Sequence, residues 1–391
     1  MRVPALPPLS IYLHIPWCIR KCPYCDFNSH TLRGALPEKE YADALIRDLA
    51  FSTPLIQERT TDSIFFGGGT PSLLSADTVH RLIEAIRRRV PLAVDVEITL
   101  EANPGATDTA HFAALRQAGV NRLSLGVQSF QPEHLHSLGR IHDSRQAQQA
   151  AEAAQRYFDN FNLDLMYALP RQTQHQALED LRIALAFDPP HLSLYHLTLE
   201  PGTAFYHAPP PLPDTDTVAD IQQAIAATLA QRGYAHYEIS AYAREGHQCR
   251  HNLNYWQFGD YLGIGAGAHS KITWPGKVIR QARSRHPSAY LTEAGRSIHR
   301  EKTITGLNLG FEFMMNALRL TTGFPAQWFE ARTGLPLDSI KTALAAAQRQ
   351  ELIVYQDGYI QPTLRGSNFL NDLLLFFLPP DEKTPSQTGR G

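Results

Sequence analysis

Six short runs of β-branched or alternating apolar residues, each followed by a longer stretch of helical periodicity, fill the chain from its start to about residue 230. The runs are IYLHI at 11, SIFF at 63, DVEITL at 95, NRLSLGV at 121, FNLDLM at 161 and HLSLYHL at 191; EKEYADALIRDLAF and TVHRLIEAIRRR typify the stretches between them. A helical crossover between consecutive strands requires parallel pairing, so this order predicts an α/β domain around a parallel sheet. Six units fall short of the eight that close a full barrel, which predicts a partial (βα)6 barrel.

The rest of the chain reads differently. HAPPPLPDTD at 207 is a stiff surface spacer, and residues 241–305 form a connecting strand and loop region after a core spanning 1–240. GIGAGAHS, at 263, departs from the G-x-G-x-x-G dinucleotide fingerprint and reads instead as a close backbone approach. Residues 306–378 contain three helical segments, FEFMMNAL, PAQWFEAR and SIKTALAAAQR, and then IVYQDGYI, whose Asp-Gly suits a tight hairpin turn. That order predicts a winged-helix-like α+β domain. Nucleic acid is not its expected partner, because residues 310–378 carry 5 Lys or Arg against 6 Asp or Glu. The tail, 379–391, is polar and expected to be disordered.

Acids and bases nearly cancel over the 391 residues, 38 against 36, so no global field draws in nucleic acid or an anionic membrane. The N-terminus lacks the apolar core of a signal peptide, and no run approaches the roughly 20 apolar residues of a spanning helix. A cytoplasmic protein is expected. In a reducing compartment clustered cysteines hold metal or react more often than they form disulfides. Cys18, Cys22 and Cys25 are such a cluster, placed immediately after the first strand, where parallel α/β enzymes build their sites. Three thiolates on one loop can ligate three corners of a 4Fe-4S cube and leave the fourth iron open to a small molecule. The amine and carboxylate of S-adenosylmethionine (SAM) suit that vacancy, and a reduced cluster can pass an electron to the bound sulfonium. Zinc is the alternative, with His30 completing a Cys3His tetrahedron.

The C-x3-C-x2-C loop followed by GGGTP at 67 resembles the radical SAM superfamily over about the first 240 residues. YLHIPWC, LEANP, GVQSF and DLMYALP are similar to the branch containing oxygen-independent coproporphyrinogen III dehydrogenase and the HemW-type heme chaperones. The resemblance implies that Cys18, Cys22 and Cys25 hold the cluster, that Gly68, Gly69, Thr70, Glu101, Gln128, Arg140 and Asp164 contact SAM, and that Tyr12 and Tyr24 are aromatics beside the cluster.

Two departures separate the branch members. The dehydrogenase motif continues to a further cysteine where this chain has Phe27, and that enzyme carries a longer segment before its motif. CRHNLNYW at 249 holds the H-N-x-x-Y-W signature that resembles the heme chaperones. A neutral imidazole can ligate heme iron and aromatics can cover a porphyrin face, so the resemblance makes His251 the candidate heme ligand, with Cys249 and His269 weaker candidates. The implied function is heme binding and transfer to an acceptor protein, a respiratory-chain protein among the candidates. An electron donor would serve the cluster, and no catalytic residue is assigned. The alternative is a radical SAM oxidoreductase of the coproporphyrinogen III dehydrogenase type.

Overall fold

The computed structural model describes residues 6–105, 109–274 and 277–379. All six expected strands form: β1 (Leu9–Ile15), β2 (Thr61–Gly68), β3 (Leu92–Ala102), β4 (Arg122–Gln128), β5 (Phe161–Tyr167) and β6 (His191–His196). Each pairs in parallel with the next. The crossover helices start where short polar side chains satisfy their free N–H groups. Ser75 accepts from Thr78 N, and Asp143 and Thr173 each form a reciprocal capping box with a glutamine three residues on. Their apolar faces and the sheet enclose one core in which Ile11, Leu13, Phe66, Leu100, Leu123 and Leu163 have no exposure.

Residues 241–305, expected as a connecting strand and loop region, continue the sheet. Beyond β7 (Ala235–Glu238) and β8 (Ala241–Ala243), which pair beside β6, the chain forms β9 (Asp260–Ile264), β10 (His269–Trp274), β11 (Lys277–Ala282) and β12 (Arg300–Ile304). Strand β9 lies parallel to β1 and the next three follow antiparallel, giving a twelve-stranded sheet ordered β12-β11-β10-β9-β1-β2-β3-β4-β5-β6-β8-β7. GIGAGAHS is the β9–β10 junction. A Cβ at Gly263 would lie 2.0 Å from the His269 carbonyl oxygen, and one at Gly265, at φ 109°, would lie 2.4 Å from the His14 carbonyl oxygen. The expected close backbone approach is therefore strand packing.

Two buried ion pairs, Asp48–Arg283 and Arg59–Asp260, link this extension to the parallel-sheet core, and a third, Lys271–Asp260, lies within it. Arg283 donates to both oxygens of Asp48 at 3.0 Å, and Asp48 also accepts from Tyr290 and Ser52. Asp260 accepts from Lys271 and Arg59, each at 2.8 Å. The winged-helix-like unit follows, with helices at Gly306–Ala317, Gln327–Thr333 and Lys341–Arg349 and strands β13 (Phe324–Pro325), β14 (Ile353–Gln356) and β15 (Tyr359–Pro362), ordered β13-β15-β14. Its core around Phe313, Phe324 and Phe329 also takes in Phe258, Val278 and Ile304 from the extension. The expected tail lies, from residue 380 on, outside the described residues. No helix among the described residues is long and apolar enough to cross a membrane.

Candidate functional site

Two cavities open at the carboxyl ends of the first strands, sharing Phe27, Gly68 and Glu101 in their walls. The smaller, about 390 Å³, is lined by Cys18, Cys22 and Cys25 together with Tyr24, Gly68, Gly69, Thr70, Glu101, Gln128, Arg140 and Asp164. These are all the expected cluster and SAM positions except Tyr12. Convergence follows from topology, since the residues leave β1 to β5 at one rim.

The glycines at 68 and 69 are required by the fold itself. A Cβ at Gly69 would sit 2.5 Å from the Trp17 carbonyl oxygen, and Gly68, at φ 117°, packs against the His14 ring. Gly68 N donates to Glu101 Oε2 at 3.1 Å. Burial, then the neighbouring Asp164, pushes the Glu101 carboxyl up to about 8. Burial also raises Asp164, against hydrogen bonds from Asn162, Ser193 and Ser124. Arg140 donates to Gly126 O at 2.7 Å and approaches Cys22 Sγ at 3.6 Å, while its Nε is buried without a partner. Burial raises the Cys18 thiol, opposed by hydrogen bonding to Thr70 and Ser29.

This donor set suits a cubane. A cube takes three thiolates on three of its irons, whereas a zinc tetrahedron needs a fourth protein ligand beside them. His30, its proposed fourth ligand, is absent from the cavity wall and hydrogen-bonds through Nε2 to the Arg285 carbonyl oxygen at 3.3 Å. A ligand bearing a carboxylate would satisfy the orphaned Arg140 Nε, whose burial alone costs about 1–3 kcal/mol.

The larger cavity, about 1050 Å³, is enclosed by the sheet extension, the helix at Arg250–Trp256 and the helix at Gly306–Ala317. That is at the upper end of the roughly 300–1,000 Å³ typical of ligand pockets. His251 stands in its wall, stacked on Phe65 at 4.8 Å and Tyr12 at 6.0 Å, with Nδ1 3.4 Å from Ser63 Oγ. Burial, with Arg122 second, pushes its imidazole down to about 3, so it is neutral and free to donate a lone pair.

Several neighbours differ from expectation. Tyr12 faces this cavity, not the cysteine loop, and hydrogen-bonds His14 Nδ1 at 3.0 Å. Cys249 lies on neither wall: its thiol is 1% exposed, contacts Glu97 Oε1 at 3.6 Å and is pushed by burial up to about 12. His269 and Tyr255 do line the cavity. Trp256 turns away, edge-on to Tyr255 and beneath Arg319, to pack against the C-terminal core. Tyr261, Arg280, Arg285, Arg300 and Lys302 line the cavity without any motif announcing them. The signal available was the alternation Arg300, Lys302, Ile304 in REKTI, which places three residues on one strand face.

The Radical SAM superfamily model matches residues 12–184, and the HemN C-terminal domain matches residues 304–369. Heme chaperone HemW of Escherichia coli (strain K12) is 48% identical over 375 residues, covering 95% of this chain and 99% of that protein. Heme chaperone HemW of Haemophilus influenzae is 46% identical over 96% of this chain and 99% of its own length. Among solved structures, the coproporphyrinogen III oxidase HemN from Escherichia coli, described as a radical SAM enzyme, matches with a TM-score of 0.80 at 25% identity, over 95% of this chain and 90% of that one.

Proposed function

Because the chain belongs to the HemW family of heme chaperones within the radical SAM superfamily, we propose that it binds heme, a 4Fe-4S cluster and SAM and passes heme to an acceptor protein. Cys18, Cys22 and Cys25 hold the cluster; Gly68, Gly69, Thr70, Glu101, Gln128, Arg140 and Asp164 hold SAM, with Tyr24 flanking the loop. When bound, the pair supplies one-electron chemistry at the sulfonium. The chain's own contribution is position. Gly68 and Gly69 bring backbone against the ligand, Arg140 offers a buried cation beside Cys22, and Glu101 separates this cavity from the next.

Heme would occupy the larger cavity, with His251 as the residue that would hold its iron. The observation that carries this reading is a neutral, ring-stacked imidazole in the wall of a cavity that adjoins the thiol-lined one. Tyr255, Tyr261 and Tyr12 supply aromatic surface beside it. The acceptor, a respiratory-chain protein among the candidates, and an electron donor for the cluster complete the assignment, in the cytoplasm. Domain limits of 1–240, 241–305 and 306–378 serve this division of labour, the middle segment carrying the heme wall.

Titration of anaerobically reconstituted protein with heme tests the reading. His251→Ala is expected to shift the Soret band and weaken binding at least about tenfold while iron and sulfide content stay constant. An unchanged spectrum and affinity would remove His251 as ligand. The structural match to HemN favours a second reading, oxidative decarboxylation of coproporphyrinogen. Phe27, 63% exposed between the cavities where that enzyme's motif has another thiol, weighs against it. Product formed from coproporphyrinogen with SAM and reductant under anaerobic conditions would decide for the enzyme.

A further inference from the structure

The larger cavity holds more positive charge than an imidazole and an aromatic lining call for. Strand β12 pairs antiparallel with β11, Arg280 opposite Lys302 and Ala282 opposite Arg300. Like charges directly opposite in such a pair, as Arg280 and Lys302 are, destabilise it unless one of them is neutralised. Arg280 is neutralised by Glu312, which accepts from its Nε at 3.1 Å and Nη2 at 2.6 Å, and it donates to the Tyr261 hydroxyl oxygen at 2.6 Å. Among the described residues no carboxylate pairs with Arg285, Arg300 or Lys302. All three side chains are exposed at the mouth of the cavity. His269, Arg280, Arg285 and Arg300 line the same cavity, and the His269 imidazole is lowered by burial and then by these three guanidinium groups.

Two acids share the wall. Glu312 is committed to Arg280, and Glu101 to Gly68 N at the far boundary. The excess is local, since the chain as a whole carries a formal charge of −2. Strand β12 is also the edge of the sheet, and charges on an edge discourage pairing with other chains. Edge protection needs neither one sign nor one face. Glu301, between the two cations, is off the cavity wall and accepts from Gln281, whereas Arg300 and Lys302 both point along the cavity face.

We propose that Arg285, Arg300 and Lys302 form a dicarboxylate-binding rim that takes the two propionate groups of the porphyrin. The inference rests on the heme reading of this cavity and adds how the cargo is oriented: the propionate edge lies at the open mouth and the iron lies inward toward His251. Guanidinium forks match carboxylates geometrically, and Lys302 adds a point charge. Because the rim is solvent-accessible, its hold on the cargo is weakened by salt.

Metal-free protoporphyrin IX separates this proposal from the ligand assignment, because it keeps both propionates and has no iron for His251. Fluorescence titrations with it, and absorbance titrations with heme, are to be run on wild type, Arg300→Glu with Lys302→Glu, and His251→Ala. The doubly charge-reversed variant is expected to lose at least about tenfold in affinity for both porphyrins. Protoporphyrin dimethyl ester should bind wild type and variant alike and should ignore added salt. Arg300→Lys with Lys302→Arg should restore most of the affinity, which a merely unfolded variant would not allow. Equal affinity of the charge-reversed variant and wild type for both acids, or equal affinity of wild type for acid and ester, overturns the rim. If His251→Ala leaves heme binding unchanged while charge reversal weakens both porphyrins, the axial ligand is wrong and the rim stands. Wild type that binds neither porphyrin removes the heme reading and the rim with it.

Discussion

The two cavities share Gly68 and Glu101, yet one is made by strands that run together and the other by strands that turn back. The thiol-lined cavity sits on five consecutive parallel strands that pack on one apolar core and also bury polar groups such as Glu97, Arg122, Ser124 and Asn162. The larger cavity's wall is an extension whose first strand pairs parallel with β1 and whose others run antiparallel; Leu262, Ile264 and Ile272 join the main apolar core, and Asp48–Arg283 and Arg59–Asp260 add buried charge. The cysteine-loop site thus rests on the ends of neighbouring strands, whereas the cargo wall depends on contacts such as Asp48–Arg283 and Arg59–Asp260 between residues far apart in sequence.

The largest effect that sharpens this contrast is expected at the cysteine loop. Cys18→Ala should reduce iron and acid-labile sulfide to background in anaerobically purified protein, because two thiolates do not hold a cube. Heme affinity should change less than about threefold. A parallel collapse of heme binding would mean that the cavities are not separable.

Next comes the fastening of the extension. Asp48→Ala leaves Arg283 buried and unpaired, and removing one partner of a buried pair costs about 3–5 kcal/mol. The urea midpoint should fall accordingly, and porphyrin binding should weaken while cluster content holds. Loss of cluster with porphyrin binding preserved would reverse the assignment of which wall Asp48 supports.

Why one cavity was legible and the other was not follows from the same contrast. Strands β1 to β6 alternate with helices, and both the strand period and the helix caps are local signals, so all six were found at the expected positions. The cysteine spacing and GGGTP lie at strand ends, and topology did the rest of the convergence. In the extension the signals conflict. REKTI is mostly charged and exposed, GIGAGAHS carries glycines for close packing, and Lys271 and Arg283 are buried charges whose partners, Asp260 and Asp48, stand 11 and 235 residues away. No window of sequence contains both halves of the Asp48–Arg283 pair. Cys249, a weaker ligand candidate in the sequence, is a buried thiol beside Glu97 at the start of a short helix.

A smaller effect probes the boundary between the cavities. Glu101 has an ordinary carboxyl value of 4.5 and is held at about 8, chiefly by burial. As pH rises from about 4.5 to about 8 the unfolded chain releases this proton and the folded one keeps it, so stability falls through that window and levels off above it. Glu101→Gln should remove this slope. The difference in stability between wild type and variant should change by about 1–3 kcal/mol across the window, allowing for the side chain's access to the cavity. A difference independent of pH would mean that Glu101 is ionised throughout.

The smallest effect is expected at the wing, where Asp357 and Gly358 form the β14–β15 turn with φ of 53° and 74°. Both central residues of such a turn need positive φ, which is why Asp-Gly marked the hairpin in the sequence. Gly358 has no heavy atom within 4 Å of where a Cβ would go, so Gly358→Ala meets no clash and pays only backbone strain, about 1 kcal/mol. Neither cavity is lined by residues of this hairpin. Cluster content and porphyrin affinity should therefore match wild type within about a factor of two while the melting temperature drops by a few degrees. The C-terminal core reaches the larger cavity's wall through Val278 and Ile304, so the wing is the sensitive place to look for coupling. A loss of porphyrin affinity confined to that cavity would show that the winged unit sets the shape of the cargo site, and would move it from a covering element to a part of the wall.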